Sequence, residues 1–128
     1  MKVLLAGGGT GGHVYPAIAI ANKIKEHNPD CEILFVGTKN GIESEIVPKA
    51  GFELKTVTVQ GFKRKIDLDN IKRVFKLCKG LEQSRRIVKK YKPDIVIGTG
   101  GYVSGPVLFN AAMNKRVTIV HEQNSFPG

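Results

Sequence analysis

The 128 residues read as an α/β domain: a Rossmann-like, doubly wound parallel sheet with strand order 3-2-1-4-5. Three observations predict it. Short apolar runs alternate with helical patterns along the whole chain, as successive strand–helix units require. The strand runs are continuously apolar and not alternating, so they suit a sheet covered on both faces. Glycine-rich turns follow the first and fourth runs, where a strand must pass directly into a helix.

The elements follow in order. Lys2 to Ala6 is a buried strand that ends in glycine. From His13 to His27, Ala17, Ile18, Ile20, Ala21 and Ile24 recur at helical spacing, with Pro16 expected in the first turn, and Asn28-Pro29-Asp30 stops the helix. Glu32 to Val36 is the second strand, Gly41 to Lys49 a short helix, and Glu53 to Val59 the third strand. Gln60 to Ile66 is a loop carrying Phe62 beside Lys63, Arg64 and Lys65. Asp67 or Asp69 can cap the next helix, which runs to Tyr91 with Ile71, Val74, Phe75, Cys78 and Leu81 on one stripe. Gly80 is expected to weaken it and break it in two. Ile95 to Ile97 is the fourth strand, a helix reaches Asn114 after a second glycine loop, and Val117 to Val120 is the fifth strand.

Composition narrows the function. Hydrophobic residues make up 41% and charged residues 24%, which fits a globular domain with a sizeable core. No run is long and apolar enough to span a bilayer. MKVLLAGGG is broken by glycine too early for a signal peptide, so a cytoplasmic location is expected. Cys31 and Cys78 share no metal or redox spacing and read as buried or half-buried thiols. Net charge is +9, and Gly61 to Lys92, with 12 basic and 3 acidic residues, holds all of it. That segment should face an anionic partner. Nucleic acid is disfavoured, because only Phe62, Phe75 and Tyr91 lie nearby and no recognition motif appears.

The two glycine loops are near copies. Gly9-Thr-Gly-Gly-His-Val-Tyr-Pro16 follows the first strand, and Gly98-Thr-Gly-Gly-Tyr-Val-Ser-Gly-Pro106 follows the fourth. In the predicted order these strands are neighbours at the point where the winding reverses, so both loops meet at one crevice. Backbone N–H groups and helix N-termini there suit phosphate. Gly7, Gly9 and Gly12 also match the spacing of a dinucleotide fingerprint, but the second strand ends Phe35-Val36-Gly37-Thr38-Lys39 without the acid that ribose needs. No Lys-Ser/Thr follows either loop, so a P-loop fails too. A neutral His13 at a helix N-terminus could accept a proton or bond a phosphate. Glu122 and Asn124, after the fifth strand, could bond sugar hydroxyls or orient His13. His13, His27 and His121 form no local metal motif.

The segments GGGTGGHVYPAIAIA, KPDIVIGTGGYVSGPVLFNAA and HEQNSFPG resemble, in order along the whole chain, the N-acetylglucosamine transferases that form lipid II for peptidoglycan. The resemblance implies residues 1–128 of an N-terminal, acceptor-binding domain of a GT-B enzyme, with the C-terminal donor-binding domain absent. It implies metal-independent, inverting transfer from UDP-N-acetylglucosamine to the C4 hydroxyl of N-acetylmuramic acid in lipid I, with no cofactor, at the cytoplasmic face of the membrane. By matched position, Thr10, Gly11, Gly12 and Asn124 contact the donor. Gly100, Gly101, Tyr102 and Ser104 match the loop assigned to acceptor pyrophosphate. His13 matches an essential histidine, either the base or an acceptor-phosphate ligand, and Glu122 is the other candidate base. Phe62, Lys63, Arg64, Lys65, Ile66 and Leu68 resemble the family's membrane-contacting patch, with anionic lipid as partner. The 128 residues alone are expected to be inactive. The alternative is a non-catalytic membrane-docking subunit of a split transferase.

Overall fold

The computed structural model describes residues 1–8, 11–58, 68–100 and 104–121, with backbone alone at 11 and 68–77. Nine elements alternate: β1 Lys2–Gly7, α1 Gly11–His27, β2 Glu32–Gly37, α2 Glu43–Lys49, β3 Glu53–Thr56, α3 Leu68–Tyr91, β4 Ile95–Gly100, α4 Ser104–Met113 and β5 Val117–Val120. All strand pairs are parallel, and the order is β3-β2-β1-β4-β5, as the alternation predicts.

Successive residues of a strand face opposite sides, so β1 divides its side chains between two cores. Val3 and Leu5 join Ile33, Phe35 and Ile97 beneath α1 and α2, where Val14, Ala17, Ala21 and Val47 close the layer. Leu4 and Ala6 join Leu34, Val36 and Val96 beneath α3 and α4, with Val107, Ala111, Ile87 and Tyr91. Ala17 and Ala21 are small, which lets α1 lie close to the sheet. Burial is confined to the three central strands. β3 is mostly exposed, and every residue of β5 is exposed, so the continuously apolar pattern of β5 does not signify a covered strand here.

Several sequence expectations need correction. Gly11 and Gly12 are helical and not loop, so Pro16 lies in the second turn of α1 and not the first. Its missing N–H leaves the Gly12 carbonyl without the usual partner. β4 extends through Gly98 and Thr99 to Gly100, because Gly98 pairs with β5 and Gly100 with β1. β3 stops at Thr56 and α2 begins at Glu43. Asp69 is inside α3 and cannot be its cap, while Asp67 lies outside the described residues. α3 runs unbroken through Gly80. Gly80 is buried beside Leu81, whose carbonyl accepts a hydrogen bond from Asn110 Nδ2 of α4 at 3.0 Å. The close helix pair offsets the glycine penalty of about 1 kcal/mol.

Cys31 is buried, but Cys78 is exposed. Among the described side chains of α3, the buried stripe is Gly80, Ser84 and Val88, at a spacing of four. Cys78 is two residues from that stripe, which turns it to the far side of the helix.

α3 ends in two titrating features. Arg85 and Arg86 both donate to Glu82, and the Arg85 bonds hold its carboxyl down near 2. Burial pushes the Tyr91 phenol up to about 12, with Glu32 adding to the shift. The Tyr91 hydroxyl is enclosed and has no hydrogen-bond partner among the described residues. Burial opposes the phenolate only in the folded chain, so stability is unaffected below pH 10 and falls as pH rises through about 12. Tyr91→Phe loses no bond and should leave neutral-pH stability nearly unchanged. It should also flatten the decline in melting temperature between pH 9 and 12, read by circular dichroism against the parent chain.

Candidate functional site

The crevice is built where β1 and β4 end. Gly7 pairs with Gly100 after a register shift between Ala6 and Gly7, so the two carboxyl ends are drawn level. α1 leaves β1 over one face of the sheet, and α4 leaves β4 over the other. Their N-termini at Gly11 and Ser104 therefore flank adjacent strand ends, and each carries a partial positive charge.

Close backbone approach holds this junction. A Cβ on Gly7 would occupy the position of Thr99 Oγ1. Through that gap the Thr99 hydroxyl, on β4, donates to the His13 carbonyl of α1 at 2.7 Å. A Cβ on Gly98 would meet Ser104 Oγ and Leu108, so α4 also rests directly on strand backbone. Glycine is needed at Gly100 for a second reason, its φ of 108°.

His13 is half-buried in the first turn of α1. Its Nδ1 lies 3.2 Å from the Gly8 carbonyl. A carbonyl only accepts, so Nδ1 carries the proton and, in the neutral ring, Nε2 keeps the lone pair. The ring edge lies over Gly100: a Cβ there would be 2.6 Å from Cδ2 and 2.9 Å from Nε2. His13 of the first loop thus packs on the second loop, joining the two segments the sequence pairs by similarity.

The other expected residues divide. Gly12 is exposed in the first turn of α1, Gly11 begins that helix, and Gly100 ends β4. Ser104 begins α4, but it is only 6% exposed and its hydroxyl rests against Gly98. Thr10, Gly101, Tyr102, Glu122 and Asn124 lie outside the described residues, as do Phe62, Lys63, Arg64, Lys65 and Ile66. Leu68 starts α3. His121 follows β5, and its N–H donates to the Gly98 carbonyl at 2.8 Å. Among the described residues no three His, Cys, Asp or Glu side chains group as a metal site. A cleft of about 450 Å³, lined by Lys2, Glu53, Lys55, Arg86, Lys90 and Tyr91, opens toward the amino ends of the strands, away from this crevice.

The sequence reading missed two residues here. Thr99 is read as loop, yet it is buried and bonds α1. Glu43, read only as part of a short helix, is fully buried at the start of α2. Three glycines close in space, Gly8, Gly37 and Gly41, could have marked the room it needs.

The chain matches the model of the glycosyltransferase family 28 N-terminal domain over residues 3–128. It belongs to glycosyltransferase family 28. Across all its residues it is 84% identical to a UDP-N-acetylglucosamine–N-acetylmuramyl-(pentapeptide) pyrophosphoryl-undecaprenol N-acetylglucosamine transferase of Clostridioides difficile, covering 31% of that protein. It is 60% identical to the transferase of the same name from a Thermoanaerobacter species, covering 35%. The crystal structure of Acinetobacter baumannii MurG superposes with a TM-score of 0.84 at 30% identity, over 99% of this chain and 36% of that one. The chain therefore spans about a third of the length of the curated relatives it matches. The superposition confirms that this sheet is the N-terminal layer arrangement of a family 28, GT-B-type transferase.

The Gly7–Thr99 contact gives a direct test of the family 28 junction. Gly7→Ala should destabilise the domain by roughly 1–3 kcal/mol through overpacking. Thr99→Ala should cost about 1–2 kcal/mol through the lost hydrogen bond and methyl. Gly7→Ala with Thr99→Ala should cost less than the sum of the single changes, because the second makes room for the first. Urea denaturation of the four chains gives the coupling, and strict additivity would refute the contact.

Proposed function

We propose that this chain is the acceptor-side domain of an inverting N-acetylglucosaminyltransferase that forms lipid II. The observation that carries the reading is 84% identity, over every residue of the chain, to a transferase named for that reaction. The acceptor is lipid I and the donor UDP-N-acetylglucosamine. The C4 hydroxyl oxygen of N-acetylmuramic acid attacks the anomeric carbon of N-acetylglucosamine. The bond from that carbon to the diphosphate breaks on the opposite face, so the configuration inverts, and UDP leaves with the electron pair.

His13 suits the base that takes the hydroxyl proton. With Nδ1–H donated to Gly8, Nε2 carries the ring's lone pair, and it lies beside Gly100. Gly11 and Gly12, with Thr10 and Asn124, are proposed to face the donor. Gly100, Gly101, Tyr102 and Ser104 are proposed to hold the acceptor pyrophosphate through the N-terminus of α4, whose dipole favours negative charge. For Ser104 the backbone N–H is the better donor, since its side chain is turned inward. Glu122 is the second candidate base. Neither role calls for a metal, because helix ends and N–H groups can stabilise the departing diphosphate.

The basic segment is proposed to seat the domain on the inner membrane surface. No described helix is long and apolar enough to cross a bilayer, so contact would be peripheral. Phe62, Ile66 and Leu68 would insert, and Lys63, Arg64 and Lys65 would attract anionic headgroups by about 1 kcal/mol each.

In the full-length Clostridioides difficile relative, alanine at the position matching His13 should lower the transfer rate by 10²–10⁴-fold, the usual worth of a general base. Alanine at the position matching Glu122 should have a smaller effect; the reverse ranking would make Glu122 the base. The assay is radiolabel transfer to a lipid I analogue. Separately, the 128-residue chain should co-sediment with vesicles containing anionic lipid and not with neutral ones, and Lys63→Glu with Lys65→Glu should abolish the difference.

A further inference from the structure

Glu43 begins α2, on the far side of β2 from β4, yet it contributes to the crevice. Its carboxylate is wholly shielded from solvent. Oε2 accepts the Thr38 N–H at 2.9 Å and the Thr38 hydroxyl at 3.2 Å. Thr38 Oγ1 in turn accepts the Gly41 N–H at 3.1 Å. The side chain occupies a recess walled by three glycines. A Cβ on Gly8, Gly37 or Gly41 would collide with the Glu43 side chain, at Gly8 and Gly41 on its carboxylate oxygens.

Burying a carboxylate is costly, and a structural role could be met by an apolar residue of similar size. The recess is instead polar and closed by the end of β1. Gly8 rests on the carboxylate, and the Gly8 carbonyl receives Nδ1–H of His13. The sequence of contacts is therefore Thr38, Glu43, Gly8, His13.

We infer that Glu43 is a positioning residue: by filling the glycine recess and bonding Thr38, it fixes Gly8 so that its carbonyl holds His13 with the proton on Nδ1 and the lone pair on Nε2. Its volume and acceptor capacity carry this role, so the neutral isostere glutamine suffices. The functional meaning rests on the reading of His13 as the working base, but the placement of the proton is measured without any reaction.

The test is ¹⁵N NMR of the imidazoles in the 128-residue chain, which has three histidines, at about pH 8.5, above the ordinary histidine range. Exposed His27 is the internal reference. In the parent chain, His13 should be predominantly Nδ1–H, the opposite of His27. Glu43→Ala should lower the Nδ1–H to Nε2–H ratio of His13 about fivefold, the factor that one hydrogen bond of ordinary net strength sustains. Glu43→Gln should keep the parent ratio. A folded Glu43→Ala chain with the parent ratio overturns the inference, and so does a Glu43→Gln chain that loses as much as alanine. If Glu43→Ala does not fold, Gly8→Ala decides: its methyl displaces the carboxylate, so the ratio should fall similarly, and an unchanged ratio overturns the inference. Retained transfer after replacing the matched histidine in the full-length relative would remove the base reading and leave this proton placement standing.

Discussion

The hydroxyl of Thr99 reaches past the bare α-carbon of Gly7 to bond the His13 carbonyl, and the crevice depends on that contact. It links β4 to the first turn of α1 across β1. The core face of α1, Val14, Ala17 and Ala21, fixes the helix's distance from the sheet better than its rotation. With the Thr99 bond, His13 lies against Gly100, and the two glycine segments become one surface. A larger residue at Gly7 would separate them. The glycines thus do more than free the backbone: several mark places where another chain atom already stands.

The sheet order and the junction of β1 with β4 were legible because they follow from alternation and crossover handedness, which one sequence displays in full. Pro16 and Gly80 misled for a common reason. Each is a helix breaker by local rule, and each is tolerated by context: glycines take up helical geometry ahead of Pro16, and α4 packs closely beside Gly80. Cys78 falls on the apolar stripe of the first half of α3, but the buried face of the second half, Gly80, Ser84 and Val88, lies on the other side of the helix. Thr99 and Glu43 were illegible for a deeper reason. Their roles come from long-range proximity to glycines, Thr99 to Gly7 and Glu43 to Gly8, and a missing side chain leaves no periodic signal.

Glu43 also bears on the glycine fingerprint. A carboxylate does stand at the end of β2, where ribose hydroxyls would be bound, but it comes from α2 and is turned inward onto Thr38. An acid sealed from solvent cannot receive a ribose.

The two borders of the sheet are unlike. β3, Glu-Leu-Lys-Thr, is ringed by charge, with Lys55 3.8 Å from Glu53. Such a border discourages a second sheet from adding to it. β5, Val-Thr-Ile-Val, has no charge, and Val117, Ile119 and Val120 are about half exposed or more, as are Phe109 and Met113 of neighbouring α4. The two rims therefore differ in how readily they take up a further strand: uncharged, apolar β5 accepts one more easily than charged β3.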